Sequence, residues 1–147
     1  MNAKKEVRLN IRSVIDDLDP SGLQAGEPEI NDTSAKGFIR SEGEIKVISY
    51  TENSEGGSVR TELSVLPDGS VTLKREGAIC SLIIFREGEE HRSVYSVPPY
   101  SFDMTVVPKR IRASLSDEGG EVRLMYLMNI GGGARQVRMT FTAKAES

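Results

Sequence analysis

The chain has 147 residues, of which 37% are hydrophobic and 28% charged, a composition that excludes a disordered chain and suits a single domain over residues 1–147. Nineteen basic residues against 22 acidic ones give a formal net charge of −3, so we expect no nucleic-acid partner. One cysteine cannot form an internal disulfide, and no run is apolar enough for a signal peptide or a membrane span, so we expect a cytoplasmic protein without membrane contact.

The N-terminal part predicts one strand followed by a long loop. Residues 6–15 alternate apolar with polar side chains at a period of two, which is typical of a half-buried strand. Residues 16–36 hold two prolines and two glycines among polar side chains and predict a loop. Residues 29–34 are at most a ragged edge strand there, because Asn31 and Asp32 are poor strand formers.

The middle of the chain predicts short strands separated by tight reversals. The predicted strands are residues 37–40, 44–52 and 58–66, and a further strand begins at residue 71. Pro67-Asp68-Gly69 predicts a turn, because proline presets φ and glycine accepts a positive φ. Glu76-Gly77 is a second hairpin signal.

The run from Ala78 to Phe85 is apolar on both faces, unlike its neighbours. A strand with one face in water should alternate, so we expect its outer face to be covered, either by the loop of residues 16–36 or by a second subunit. The second alternative predicts a homodimer that associates through Cys80, Leu82 and Ile84. Within so apolar a strand, the Cys80 thiol is expected to be packed and inert.

The last third of the sequence allows the strand register to be predicted. A four-residue loop, Asp117 to Gly120, pairs three apolar couples: Leu115 with Val122, Ala113 with Leu124, and Ile111 with Tyr126. A two-residue turn at Gly131-Gly132 pairs three more: Tyr126 with Val137, Leu124 with Met139, and Val122 with Phe141. Both registers place the apolar side chains on one face across three strands.

The pattern as a whole predicts an all-β fold. No run of ten or more residues shows a helical period. Eight to eleven strands joined mostly by short turns favour an up-and-down antiparallel β-barrel, with a two-sheet sandwich as the alternative.

Strand and turn patterns also resemble those of a known family. They lie along nearly the whole chain, at residues 12–17, 37–38, 49–52, 75–78, 101–120 and 125–126. In these the chain resembles the YwiB-like family, small uncharacterised bacterial proteins with a calycin-like (lipocalin-like) β-barrel. The resemblance implies that fold and no activity.

Catalysis is not indicated by the chemistry-bearing residues. His91 is the single histidine and shares a predicted strand face with Ser93, while Asp103 on the next strand would have to orient its ring. A serine two residues along a strand lies ~6.6 Å away, beyond the reach of direct proton transfer. We therefore expect no enzymatic activity.

Metal, cofactor and phosphate sites are not expected either. One histidine and one cysteine cannot form a structural zinc site, and Asp16, Asp17 and Asp19 lack the calcium-loop spacing. Residues 131–133 predict a hairpin rather than a phosphate loop, which would begin a helix. Five basic residues are expected to form a solvated outer stripe: Lys109, Arg110, Arg112, Arg123 and Arg138.

The predicted barrel leads to two hypotheses of function. The first is a binding module that holds a small apolar molecule against inward-facing side chains. Ten candidates are Leu9, Ile11, Leu73, Ile83, Phe85, Met104, Leu124, Tyr126, Met139 and Phe141. No inward Arg or Lys is evident, so this hypothesis favours a neutral ligand. The alternative is a filled core from the same residues in a protein-interaction or homo-oligomeric module.

Overall fold

Ten antiparallel strands make up the regular structure of a computed structural model that describes residues 4–54 and 56–146. They are β1 (Lys5–Asp17), β2 (Glu29–Glu42), β3 (Ile45–Ser54), β4 (Gly57–Val65), β5 (Val71–Gly77), β6 (Ser81–Phe85), β7 (His91–Val97), β8 (Tyr100–Ser116), β9 (Gly119–Ile130) and β10 (Gly133–Ala145). The prediction of an all-β fold with eight to eleven strands is confirmed. Within these ranges no helix is long and apolar enough to cross a membrane.

All ten strands belong to one sheet with a simple up-and-down order. Each strand pairs with its neighbour in the chain, except that β6 and β7 end the sheet and β1 pairs with β10. Among the described residues, one antiparallel bridge joins β6 to β7, between Cys80, which directly precedes β6, and Ser96 of β7, with N···O distances of 2.8 and 2.9 Å. The sheet therefore closes into the predicted barrel, not into a sandwich of two sheets.

The contact between β6 and β7, which we call the seam, has little backbone pairing. Beside the Cys80–Ser96 bridge, the His91 Nε2 atom lies 3.2 Å from the carbonyl oxygen of Leu82. A side chain thus supplies a hydrogen bond where a complete ladder would use the backbone. The seam is the weakest lateral junction of the barrel.

The predicted loop over residues 16–36 is confirmed for residues 18–28 and is wrong at both ends, where residues 29–34 form the edge strand that the sequence left open. β1 continues to Asp17 and β2 begins at Glu29, and the two strands pair from Lys5 with Ile39 to Ile15 with Glu29. Asp32 has a weak strand propensity, but it is accommodated in β2 because its carboxylate faces water and binds Arg12 on the paired strand β1 at 3.0 Å. Leu82 is 44% exposed, so the remaining loop, residues 18–28, leaves its side chain open to solvent.

Of the two hairpin registers predicted for the C-terminal part, one is confirmed and one is wrong. Between β9 and β10 the predicted pairs, such as Tyr126 with Val137, are confirmed. Between β8 and β9 the prediction is wrong by two residues, since Ser116 pairs with Gly119 and Ala113 with Val122. A shift of two leaves every side chain on its predicted face.

Gly119 and Gly120 explain that error, because they belong to β9 and not to the turn. Both have positive φ, +125° and +141°. A Cβ atom on Gly120 would overlap the carbonyl oxygen of Ser114, and one on Gly119 would overlap that of Ala143. Glycine is needed here because two backbones approach closely inside the sheet.

The barrel has two ends with different interiors. We call the end with the β1–β2, β3–β4, β5–β6, β7–β8 and β9–β10 connections the upper end, and the opposite one the lower end. The lower half is a packed apolar core, in which Leu9, Phe85, Val122 and Phe141 have no solvent exposure. The alternation of β1, β9 and β10 directs these side chains inward.

We predict that Gly120→Ala lowers the free energy of unfolding by at least about 2 kcal/mol, because the new methyl group meets backbone that cannot move away cheaply. Gly132→Ala is the matched control. Gly132 also has a positive φ, +85°, but no atom lies within 4 Å of the point that a Cβ atom would occupy, so only the backbone cost of about 1 kcal/mol applies. Urea unfolding measures both, and equal losses would contradict the close approach.

Candidate functional site

The upper half of the barrel contains a cavity of about 280 Å³. Seven strands, β1 and β5 to β10, contribute its walls. The lining side chains are Ser13, Ile15, Leu73, Arg75, Ser81, Ile83, Tyr95, Met104, Tyr126, Met128, Ile130, Arg135, Val137 and Met139. Most of them are apolar. Hydroxyl and guanidinium groups come from Ser13 of β1, Arg75 of β5, Ser81 of β6 and Arg135 of β10.

The ten residues predicted to face the interior are all buried, at 8% exposure or less. Five of them line the cavity: Leu73, Ile83, Met104, Tyr126 and Met139. The other five lie outside its lining, in the packed core: Leu9, Ile11, Phe85, Leu124 and Phe141. The barrel is thus filled in its lower half and hollow in its upper half.

The cavity wall and the core are in contact through two aromatic rings, Tyr126 of the cavity lining and Phe85 of the core. The Phe85 and Tyr126 rings lie 5.0 Å apart between centroids at an angle of 59°, a favourable tilted contact. The Tyr126 hydroxyl donates to the Met139 sulfur at 3.5 Å, which is a weak acceptor. Burial raises the pKa of Tyr126 to about 12, because the phenolate would lose its hydration.

Arg75 is the charged group in the wall of this cavity that lacks an ionic partner. It follows Val71 and Leu73 at a period of two on β5, so its side chain shares their inward face. Its Nε atom is buried without a hydrogen-bond partner, and among the described residues no carboxylate lies within 4 Å of its guanidinium. The expectation that no arginine faces inward is therefore wrong. The period-two pattern that identifies Leu73 also indicates Arg75.

A polar row crosses four strands at the level of Arg75. In this row Tyr50 pairs with Thr61, Thr61 with Arg75, and Arg75 with Ser81. The Tyr50 hydroxyl and the Thr61 hydroxyl are, with Arg75 Nε, the buried side-chain polar atoms without a partner in the described part of the chain. Native proteins leave few such atoms unpaired, so their gathering in one row marks this place as unusual.

None of the four residues in the row carries a negative charge. Burial raises the pKa of Tyr50, and the nearby Glu52 carboxylate raises it further, so the phenol is neutral at physiological pH. Arg135, the second arginine of the lining, is bound to Asp17 at 3.2 Å. Among the described lining residues, Arg75 is thus the cation without an ion-pair partner.

Residues considered for catalysis are not brought together. Asp103 pairs with Val94 and is exposed on the outer face, so it cannot orient His91. The His91 ring is engaged with the Leu82 carbonyl group. Cys80 is exposed, not packed as predicted, because β6 begins only at Ser81 and Cys80 forms the seam bridge.

The basic stripe lies on the outer face, as its alternation predicts. Arg123 is paired with Glu121, and Arg138 lies 3.4 Å from Asp16. A groove of about 780 Å³ next to Arg112 and Arg123 is wide open to solvent, and none of its described lining residues has a buried polar atom without a partner. Among residues 4–54 and 56–146, no group of three potential metal ligands comes together.

We predict that the free energy of unfolding falls as the pH rises from 10 to 12. An unfolded tyrosine ionises near pH 10, whereas folded Tyr126 keeps its proton to about pH 12. The contribution of the buried Tyr126 phenol to the free energy of unfolding is therefore complete below pH 10 and is lost as the pH rises from 10 to 12. The loss is roughly 2 kcal/mol by that linkage. Tyr126→Phe should make the fall shallower, and Tyr100→Phe, at a 67% exposed residue, should not. Identical slopes in both variants would contradict the buried phenol.

Comparison with known proteins agrees with this architecture. The crystal structure of the ywiB protein from Bacillus subtilis matches with a TM-score of 0.85 at 23% sequence identity, over 98% of this chain and 94% of that chain, which confirms the YwiB-like barrel fold. No curated protein sequence matches the chain. The model of the family described as a domain of unknown function (DUF1934) matches residues 21–142. Since that match covers most of the sequence, the chain belongs to the DUF1934 family.

Proposed function

We propose that the protein is a binding module that holds one small, mainly apolar molecule in the upper half of its barrel. The supporting observation is the cavity of about 280 Å³ above a close-packed core. Protein interiors are normally packed to crystal-like density, so a space of this size is a feature that needs a reason. Concave, mostly apolar cavities with a few polar groups are typical of ligand sites.

The volume limits the ligand to a small molecule. Ligand pockets usually span ~300–1,000 Å³, so this cavity is just below that range. Met104, Met128 and Met139 line it with flexible side chains that can adapt to the shape of an apolar body.

The filled-core alternative describes only the lower half of the barrel. There Leu9, Phe85 and Phe141 are fully buried in one apolar cluster. In the upper half, Ser13, Ser81 and Arg75 take positions that apolar side chains would occupy in a filled barrel. The contrast between the halves favours a binding role for the upper one.

We propose further that the protein acts by binding alone, without catalysis and without a cofactor. Support comes from the separation of His91 from Asp103 and from the contact of the His91 ring with the Leu82 carbonyl group at the seam.

We also propose a bacterial cytoplasmic location for the protein. An exposed Cys80 without a disulfide is typical of a reducing compartment, and the matching crystal structure is of a Bacillus subtilis protein.

We predict that Ile83→Trp lowers the affinity for octan-1-ol, a neutral apolar probe, by at least tenfold. Ile83 lines the cavity, and a larger side chain would occupy the space that the probe needs. Leu82→Trp is the matched control, because Leu82 is the adjacent residue on β6 and is 44% exposed on the outer face. Calorimetric titration measures affinity, and circular dichroism confirms that both variants fold.

Three results would overturn the proposal. The first is a wild-type protein that neither binds the probe nor retains a small molecule in native mass spectrometry. The second is equal binding by the Ile83 variant, and the third is loss of binding only in the Leu82 control. Either of the last two would place the probe outside the barrel.

Self-association is the second candidate function, and one observation favours it. Leu82 and Val94, on the two strands of the seam, are 44% and 51% exposed on the outer face, next to incompletely paired backbone. Such an edge can pair with another strand. A second copy of the chain would cover the exposed apolar side chains and pair with the free backbone groups of the seam.

We predict that Leu82→Lys shifts a wild-type dimer to monomer in sedimentation velocity without unfolding it. A lysine at that position would be desolvated in the contact. Leu23→Lys, at a 67% exposed residue of the loop between β1 and β2, is the control and should leave the dimer intact. A wild type that sediments as a monomer at high concentration would rule this candidate out.

A further inference from the structure

The polar wall of the cavity indicates what kind of molecule it binds. We propose that the ligand carries one carboxylate group, which the guanidinium of Arg75 binds inside the barrel. This inference rests on the proposed binding function and specifies its ligand class as small organic acids with a short apolar body. It reverses the expectation of a neutral ligand.

The first argument is charge. An arginine side chain stays protonated in proteins, so Arg75 places a full positive charge at the cavity wall. Among the described residues no carboxylate lies within 4 Å of it to balance that charge. The Arg75 side chain is partly buried, and its Nε atom is fully buried without a partner. Leaving such a group unpaired is costly, and an anionic ligand would reduce that cost.

The second argument is hydrogen bonding. Arg75 Nε is buried and has no acceptor in the described structure. A guanidinium presents its N–H groups in a fixed planar fork, which matches the two oxygens of a carboxylate. The Ser81 hydroxyl lies on the adjacent strand in register with Arg75 and also lines the cavity, so it can donate to the same anion.

The third argument limits the anion to a single charge. Arg135 also lines the cavity, but it is already bound to Asp17 at 3.2 Å. The one free cation of the described lining balances a monoanion, whereas a phosphate monoester, with nearly two charges, would leave excess negative charge in an apolar site. A carboxylate with an apolar body satisfies Arg75 and fills the space between Ile83, Met104 and Met139.

The experiment compares octanoate with octan-1-ol, two probes of equal chain length that differ in the head group. Calorimetric titration of the wild type at pH 7 should show that octanoate binds roughly tenfold to hundredfold more tightly, the range expected of charge-assisted hydrogen bonds. In Arg75→Met this preference should disappear while octan-1-ol still binds. Arg60→Met is the matched control, because Arg60 lies on the neighbouring strand and is exposed.

The outcomes separate the inference from the function on which it rests. If neither probe binds the wild type, the proposed function fails and the inference with it. If both bind with equal affinity, the cavity binds molecules but Arg75 does not select an anion, and only the inference is overturned. If Arg75→Met does not fold, the comparison of the two probes on the wild type still tests the inference. It is then repeated at pH 4, where much of the octanoate is protonated. The affinity of octanoate relative to octan-1-ol should be lower there than at pH 7.

Discussion

The antiparallel pairing of β1 with β10 is the interaction on which the rest of the structure depends. It joins the first strand to the last over eleven residue pairs, from Val7 with Ala145 to Asp17 with Arg135. Without it, β1 to β6 and β7 to β10 would be two separate meanders. The β1–β10 pairing makes β1 a central strand, because β1 also pairs with β2 over eleven residues on its opposite edge. The ten strands then form one sheet that can curve until β6 meets β7.

That closure also determines where the barrel is weak and where it is hollow. The seam lies opposite the strong β1–β10 junction in the strand order and depends on the Cys80–Ser96 bridge and the His91 contact. The strands at the seam, β6 and β7, are short, and both line the cavity. The walls of the hollow half therefore include these two weakly joined strands. A ligand that contacts both sides of the seam would strengthen it.

The sequence is sufficient to predict the faces of the strands. Period-two alternation assigns Leu9, Tyr126 and Phe141 to the interior, and the Gly131-Gly132 turn predicts the β9–β10 register. Alternation carries no information on height along the barrel, so it cannot separate residues of the packed core from those of the cavity. That difference depends on side chains that meet across strands distant in sequence.

Other differences between prediction and structure have local causes. The sequence of β2 is typical of a loop because residues 29–34 are exposed on both faces and, among the described strands, pair only with β1, which is distant in sequence. The predicted β8–β9 register is shifted because Gly120 has the composition of a turn residue but lies in a strand for steric reasons. Arg75 is not among the predicted inward residues because arginine is normally exposed, although its position after Leu73 indicates the correct face. The proposed ligand chemistry depends on this one group.

A crystal of the ligand-free protein under xenon pressure tests the central claim most directly. Xenon occupies apolar cavities and needs no assumption about the natural ligand. The half-hollow barrel predicts xenon in the upper half, between Ile83, Met104 and Met139, and none in the core around Leu9 and Phe141. Methionine side chains that fill the upper half and exclude xenon would contradict it and leave a closed barrel without an internal site.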